Sequence, residues 1–356
     1  MARPAGVVVT SKVPANAPLV SVLLPVHDGE AYLAAAMDSI LLQTYDNLEL
    51  IVIDDGSTDG SAQIALGYED PRVRVVRNET NLGLVAALNN GLALARGHLI
   101  ARMDADDVAE PRRLEAQVAR ITADSSIAAL GTAIAYIDSA GQVVSVPPRQ
   151  VQGATLLRWR MLRGTCVYHP TLMIERSRAG DDARYSPEFP HAEDYELLLR
   201  LSRRHGVDNL SQVLLQQRLH EGSVSSRHRD VQRESAARAL VTHVRLRYGL
   251  ELAPGAAQAL LDPRHYLGPA CTDADSPIGP VLRLERLFLQ SEAAITAAEL
   301  GAVRKDVAFF LGKLAVIALT DWSQGVFPLR RAKLLAACAW NLALRPCSAL
   351  AALAWR

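Results

Sequence analysis

The residues most able to do chemistry sit at the ends of apolar runs. Residues 98–111 read HLIARMDADDVAEP, in which Asp104, Asp106 and Asp107 follow directly on a strand-like segment. Carboxylates this close repel one another unless a positive charge lies among them, and a bound metal ion is the simplest such charge. A second acidic pair, Asp54 and Asp55, closes the run LELIVIDDGSTDGS in the same way. Both clusters therefore raise the same question: what elements bring them to one place?

The pattern around them alternates between strand and helix. VSVLLPV is a short β-branched and leucine run closed by Pro25 and Val26, and the segment after it puts Leu33, Ala36, Met37, Ile40 and Leu41 on one helical face. LELIVID repeats the strand, with Ser57, Thr58 and Asp59 available as helix N-caps behind it. RVRVVRNE reads as a shorter strand, Leu84, Ala87, Leu88, Gly91 and Leu92 as another helical stripe, and HLIARM as a further strand. Strands alternating with helices predict parallel pairing through right-handed crossovers, hence an α/β fold with helices flanking a mostly parallel sheet. Ligands of such sheets sit at the carboxyl ends of the strands, where both acidic clusters fall.

Lys plus Arg and Asp plus Glu number 38 each, so the formal net charge is zero and the broad basic field that nucleic acid binding needs is absent. The cysteines, Cys166, Cys271, Cys338 and Cys347, show no CxxC spacing, which speaks against a zinc knuckle or disulfide frame and for a reducing cytoplasm. Residues 1–18 read as a loose tail without the apolar core of a signal peptide. Neither a Gly-x-Gly-x-x-Gly nor a Walker-type loop follows any strand, so a phosphate would be held in another way. A divalent cation bridging a carboxylate and a diphosphate does that job, because Mg²⁺ favours one or two carboxylates with phosphate oxygens and water.

Five segments in order, VSVLLPVHDGEAYLAAAMDSILLQTYDNLELIVIDDGSTDGS, NETNLGLVAALNNGL, ARMDADDVAEPRRLEAQV, AEDYELLLRL and RLHEGSVS, resemble the family 2 inverting glycosyltransferases of GT-A fold, over roughly residues 19–228. The resemblance implies a catalytic domain over 19–228 with a helical extension over 229–356, a nucleotide-sugar donor (first of all a UDP-sugar), Mg²⁺ or Mn²⁺, and a glycan or lipid-linked acceptor. It implies that Pro25, Val26 and His27 pack on the nucleotide base and ribose, and that Asp55, with Asp54 beside it, hydrogen-bonds the uracil. Asp104 falls near the ribose or the metal, Asp106 is the direct metal ligand, Asp194 is the catalytic base, and Arg218 and His220 close over the diphosphate. Where many relatives carry an arginine in the third helix, Leu88 stands here.

Plainer roles stand beside these. Asp54 and Asp59 are equally suited to capping the helix after DDGSTD, and Asp107 to capping the helix expected from about Pro111. Glu193 is either a solvated neighbour of Asp194 or part of the acceptor site, and His169 in YHPTLM is either structural or lines that site. For the whole chain, the alternatives are a nucleotide-sugar-binding protein without turnover and a sugar nucleotidylyltransferase, the latter disfavoured because PVHDGEAYL is not a basic, glycine-rich loop.

Beyond residue 229 the alternation gives way to helices. Ala237, Leu240, Val241, Val244 and Tyr248 share a face that ends at Gly249, a good helix stop. Near the end, Arg330, Arg331 and Lys333 precede an alanine- and leucine-rich run interrupted by Asn341, Arg345 and Pro346, a poor membrane span. It reads either as a helix packed on the catalytic domain or a second subunit, or as an interfacial helix on an anionic membrane; the first gives a cytoplasmic protein and the second one held at the cytoplasmic face of the membrane.

Overall fold

The computed structural model describes residues 17–148, 150–220, 228–264, 276–292, 294–320 and 335–341. The expected tail falls outside them save for Ala17 and Pro18, as do RLHEGSVS beyond His220 and most of the C-terminal apolar stretch. The chain forms two compact units. The first takes the segments up to Gln152, Val167–Pro187 and Arg204–Ser223, and the second takes Gly153–Cys166, Glu188–Arg203 and the chain from Val224 onward.

The first unit is built on one nine-stranded sheet. Its first half is the predicted alternation: β1 (Val20–Val26), α1 (Leu33–Leu41), β2 (Leu48–Asp54), α2 (Ser61–Leu66), β3 (Val73–Arg77), α3 (Leu84–Leu94) and β4 (Leu99–Arg102). The strands lie in the order β3-β2-β1-β4, all parallel. Every residue of β1 and β2 is buried, which is why they read as continuous apolar runs rather than alternating ones. Each buried Leu, Ile or Val contributes roughly 1.5–3 kcal/mol, so these two strands anchor the unit. Helix α1 buries Leu33, Ala36, Met37 and Ile40, whereas Leu41, at the margin of the predicted stripe, stays half exposed. Helix α3 packs closely: a Cβ on Gly91 would lie 3.0 Å from Ile53 Cδ1 and 3.1 Å from Leu23 Cδ2.

The second half of the sheet is mixed. After β5 (Val108–Ala109) and α4 (Arg113–Ala123) come β6 (Ile127–Ile137), β7 (Val143–Ser145), β8 (Met173–Glu175), the short α6 (Arg176–Ala179) and β9 (Gly206–Arg218). Strand β8 runs antiparallel between β4 and β6, β9 lies parallel to β6, and β5 closes the far edge antiparallel to β9. The segment between β4 and β5 thus leaves one half of the sheet and lands on the other.

The second unit is helical: α5 (Ala154–Met161), α7 (Glu193–Ser202), α8 (Arg229–Tyr248), α9 (Pro254–Leu261), α10 (Ile278–Ser291) and α11 (Ala297–Thr320). Helix α8 ends as expected at Gly249, whose φ of 62° is the left-handed stop. Trp159 of α5 is fully buried, tilted against Phe288 with ring centroids 5.4 Å apart. Its Nε1 donates to Asp306 Oδ2 at 2.8 Å, while Arg160 Nε donates to Oδ1 at 2.7 Å and Arg163 also pairs with this carboxylate. Among the described residues no helix is long and apolar enough to cross a membrane.

His243 in α8 gives this unit a pH dependence. Burial, and then Arg203 and Arg247, push its pKa down to about 3. Between about pH 6.5 and that value the unfolded chain holds a proton that the folded one refuses, so stability is full above pH 6.5 and falls with acidification. Chemical denaturation of His243→Leu against the parent across that range should show a loss shallower by up to about 1.4 kcal/mol per pH unit. Parallel curves would contradict the assignment.

Candidate active site

The acidic loop is fixed at both ends. It leaves β4 at Arg102 and enters β5 at Val108, which pairs with Gln216 of β9. One oxygen from each of Asp104, Asp106 and Asp107 can be chosen so that all lie within 4.8 Å of one another. Arg102 takes Asp104 with a two-toothed grip, Nη1 donating to Oδ2 at 2.7 Å and Nη2 to Oδ1. His220 Nε2 lies 2.8 Å from Asp106 Oδ2. Asp107 is 1% exposed; its Oδ1 accepts the Arg218 N–H at 2.9 Å, and its Oδ2 is buried with no hydrogen-bond partner among the described residues.

Asp107 is therefore not the helix cap that its position suggests. Helix α4 starts at Arg113, two residues after Pro111, and carries no side-chain cap; Asp107 points instead at the end of β9. Burial, followed by the charges of Asp104 and Asp106, pushes the Asp107 carboxyl well above the usual range. Burial also raises Asp104, against the pull of Arg102. Arg102 pairs with Asp104, whereas Asp107 keeps a buried oxygen without a hydrogen-bond partner among the described residues. The donor set is all carboxylate oxygen, the chemistry that Mg²⁺ and Mn²⁺ favour, so the residues fit such an ion.

Arg218, expected over a diphosphate, has its guanidinium on main-chain carbonyls: Nε donates to Asp106 O at 2.9 Å, and Nη1 to Asp138 O at 2.8 Å and Ser139 O at 3.2 Å. It also lies over the Tyr32 ring, 4.4 Å from the centroid. This side chain holds the acidic loop to the β6–β7 turn and to α1's approach.

A second loop pair forms at the ends of β1 and β2. Asp55 accepts from Asn78 Nδ2 at 2.7 Å and from the Leu82 N–H at 3.0 Å through Oδ1, and from the Gly83 N–H at 2.8 Å through Oδ2. Its carboxylate thereby fixes the approach to α3. Gly56 at φ 71° lets the chain pass under residues 80 and 81, since a Cβ there would lie 2.5 Å from Thr80 C. Asp54, fully buried, accepts the Ser57 N–H at 2.9 Å and pairs with Arg77 at 3.2 Å, so it closes the turn after β2. Asp59, one residue before the N-cap Gly60 of α2, accepts the Ser61 N–H at 2.9 Å and the Glu30 N–H at 3.0 Å and so ties this turn to the loop after β1. Pro25 and Val26 are buried at the end of β1, and the exposed His27 sets Nδ1 3.0 Å from Asp55 O. Leu88 is fully buried against the core, so that face of α3 offers no contact to a ligand.

His169 lies in a short 3₁₀ turn before β8, with Nε2 2.9 Å from the Tyr185 hydroxyl. Burial, and then Arg102, hold its pKa well below 6.5, so the ring is neutral at neutral pH. Tyr185 is in turn pinned to α3, its N–H and carbonyl meeting the Asn89 amide at 3.0 and 2.9 Å. In the helical unit, Glu193 and Asp194 open α7, and with Glu196 they make its first turn acidic, an arrangement that the N-terminal helix dipole favours. Asp194 is partly exposed and its Oδ1 meets the Tyr195 N–H at 2.7 Å. Glu193 is 8% exposed, which corrects its reading as a solvated neighbour. Tyr195 is buried beneath, its hydroxyl on Met161 O at 2.6 Å.

Several of these residues carried no signal in the sequence reading. Arg102 stands in an otherwise apolar strand and Arg113 in an ordinary helix turn; both lie in the segment ARMDADDVAEPRRLEAQV, but the resemblance gives neither of them a role. An arginine inside a run as apolar as HLIARM was the available hint, because a buried charge demands a partner.

Residues 21–177 match the model of the family described as glycosyl transferase family 2. An uncharacterized glycosyltransferase of Haemophilus influenzae is 31% identical over 263 residues, 70% of this chain and 81% of that protein. The UDP-Glc:alpha-D-GlcNAc-diphosphoundecaprenol beta-1,3-glucosyltransferase WfgD of Escherichia coli is 27% identical, over 58% of this chain and 80% of its own length. Among solved structures, S. aureus TarS 1-349 in complex with UDP-GlcNAc superposes with a TM-score of 0.57 at 20% identity, covering 92% of this chain and 91% of that one, which supports the GT-A fold. The nucleotidylyltransferase and binding-only alternatives give way to this agreement of motif order, sheet and relatives. The chain belongs to glycosyl transferase family 2 and is a glycosyltransferase.

Proposed function

We propose that the protein transfers a sugar, with inversion at the anomeric carbon, from a UDP-sugar to a hydroxyl of a glycan or lipid-linked acceptor, with Mg²⁺ or Mn²⁺ at the acidic loop. The observation that carries this reading is the carboxylate trio at the carboxyl end of β4 with its buried, unsatisfied Asp107 oxygen. Asp106, with Asp107 behind it and Asp104 near the ribose or the metal, would hold the ion, which when bound supplies positive charge to the departing diphosphate.

The chain's own residues do the rest. Asp55 keeps the 78–83 segment in place and, with His27 and the buried ends of β1 and β2, forms the floor for base and ribose. Its remaining lone pairs are the ones left for a uracil N–H. Arg218 acts toward the diphosphate through the loop that it holds, and His220, beside Asp106, supplies a basic group at the same place. Asp194 accepts the proton of the attacking hydroxyl; the Tyr195 N–H fixes one of its oxygens and leaves the carboxylate partly exposed. A single displacement with one base inverts the configuration, as the family resemblance implies. His169 and Glu193 are assigned to the acceptor side. The lipid-linked class of acceptor is supported by the E. coli relative, whose name specifies a diphosphoundecaprenol-linked sugar, and it would place the work at the cytoplasmic face of a membrane.

Asp194→Asn should lower the transfer rate by about 10²- to 10⁴-fold while UDP affinity stays within about threefold of the parent. Equal losses of rate and donor affinity would remove Asp194 from the base role. Proton NMR of the first product formed should show the anomeric configuration opposite to that of the donor. Retention would contradict the single-displacement mechanism.

A further inference from the structure

Two guanidinium groups support the acidic loop, and both lie in the segment ARMDADDVAEPRRLEAQV without being among its carboxylates. Arg102 is 4% exposed, and both of its terminal nitrogens are engaged by the two oxygens of Asp104. Its main-chain carbonyl is in turn held by Arg113, which is wholly buried: Nη2 donates to Arg102 O at 2.6 Å and Nε to Gln117 Oε1 at 3.2 Å. Gln117 is itself fixed by the carbonyls of Leu130 and Thr171, so the support reaches into β6 and the turn before β8.

The three carboxylates are thus unequal. Asp104 gives both oxygens to a charged fork, among the strongest pairings that a side-chain carboxylate makes. Asp106 shares one oxygen with His220, and Asp107 has one oxygen on a backbone N–H and the other without a partner among the described residues. A cation approaching the loop meets Asp106 first, with the buried Asp107 oxygen behind it, whereas using Asp104 would require breaking two charge-assisted hydrogen bonds to a buried arginine. Arg102 balances the charge of Asp104 directly, and Arg113 holds Arg102 in place from behind.

We infer that Arg102, seated on Arg113, is a positioning residue that withholds Asp104 from the metal and keeps the loop's affinity for a free divalent ion low. This inference rests on the metal reading of the loop given above. Its consequence is that metal binds well when a diphosphate arrives to complete its coordination and poorly alone. The loop then stays in shape without metal, because the charge of Asp104 is already balanced from inside.

The test is Mn²⁺ binding, followed by the electron paramagnetic resonance signal of the free ion, on the full chain with and without UDP. Replacing Arg102 by Met frees Asp104 and raises the net negative charge by one. Arg102→Met should bind Mn²⁺ without UDP about tenfold or more tightly than the parent. The double variant R102M/D104N restores the charge count and should return to within about threefold of the parent. A role confined to stability would weaken binding or leave it unchanged. Circular dichroism shows whether each variant is folded; should Arg102→Met fail to fold, Arg102→Lys, which keeps the charge but loses the fork, takes its place and should bind Mn²⁺ a few-fold more tightly. Unchanged or weaker Mn²⁺ binding in a folded Arg102 variant overturns the role of Arg102 alone. A parent protein that binds no Mn²⁺ even with UDP overturns the metal reading beneath it.

Discussion

Holding three carboxylates together in a short loop is the constraint around which the first unit is arranged. Their mutual repulsion in a partly buried place costs several kcal/mol unless positive charge is near. The structure answers from two directions. Arg102 and Arg113 come up from beneath, from the end of β4 and the first turn of α4, and Arg218 reaches across from the end of β9 to hold the loop's backbone. The mixed half of the sheet makes this possible: β5 pairs with β9, so the loop from β4 must cross to β9 before α4 can begin.

The neighbouring loops follow the same logic with neutral donors. Asp55 gathers two backbone N–H groups and an amide, and reciprocal bonds tie the first loop to the second: Asp28 Oδ1 accepts the Thr58 N–H at 2.7 Å, and Ser57 Oγ accepts the Asp28 N–H at 3.0 Å. A carboxylate that accepts several N–H groups keeps its loop rigid. A nucleotide floor built in this way loses little freedom on binding, which favours affinity. In the helical unit, buried polar pairs such as Trp159 with Asp306 fix α5, and the Tyr195 hydroxyl on Met161 O ties α7 to its end.

The parts of this arrangement that the sequence made legible are those with a period or a boundary. β1, β2 and β4 are short, mostly apolar runs, two of them followed within two residues by acidic clusters, and the helices between them carry stripes at helical spacing. The acidic clusters were visible because their carboxylates crowd into four residues or fewer directly after an apolar run. What stayed hidden depends on pairings distant in sequence. Asp107 has the composition of a helix cap, and it bonds Arg218 only because β5 pairs with β9, which no local pattern announces. Arg218 has the look of a ligand-binding arginine, yet its guanidinium meets carbonyls of residues 106, 138 and 139. Asp55 was marked for a ligand, and its tie to residues 78–83 emerges only when β2 and the loop before α3 are set side by side.

The central claim is that the acidic loop is where metal and diphosphate meet. Isothermal titration of UDP into the protein, with and without Mn²⁺, on the parent and on Asp106→Asn, addresses it most directly. The account predicts UDP binding that strengthens at least about tenfold with Mn²⁺ and loses that gain in the variant. Binding that is indifferent to the metal, or a gain that survives the loss of the Asp106 carboxylate, would contradict it.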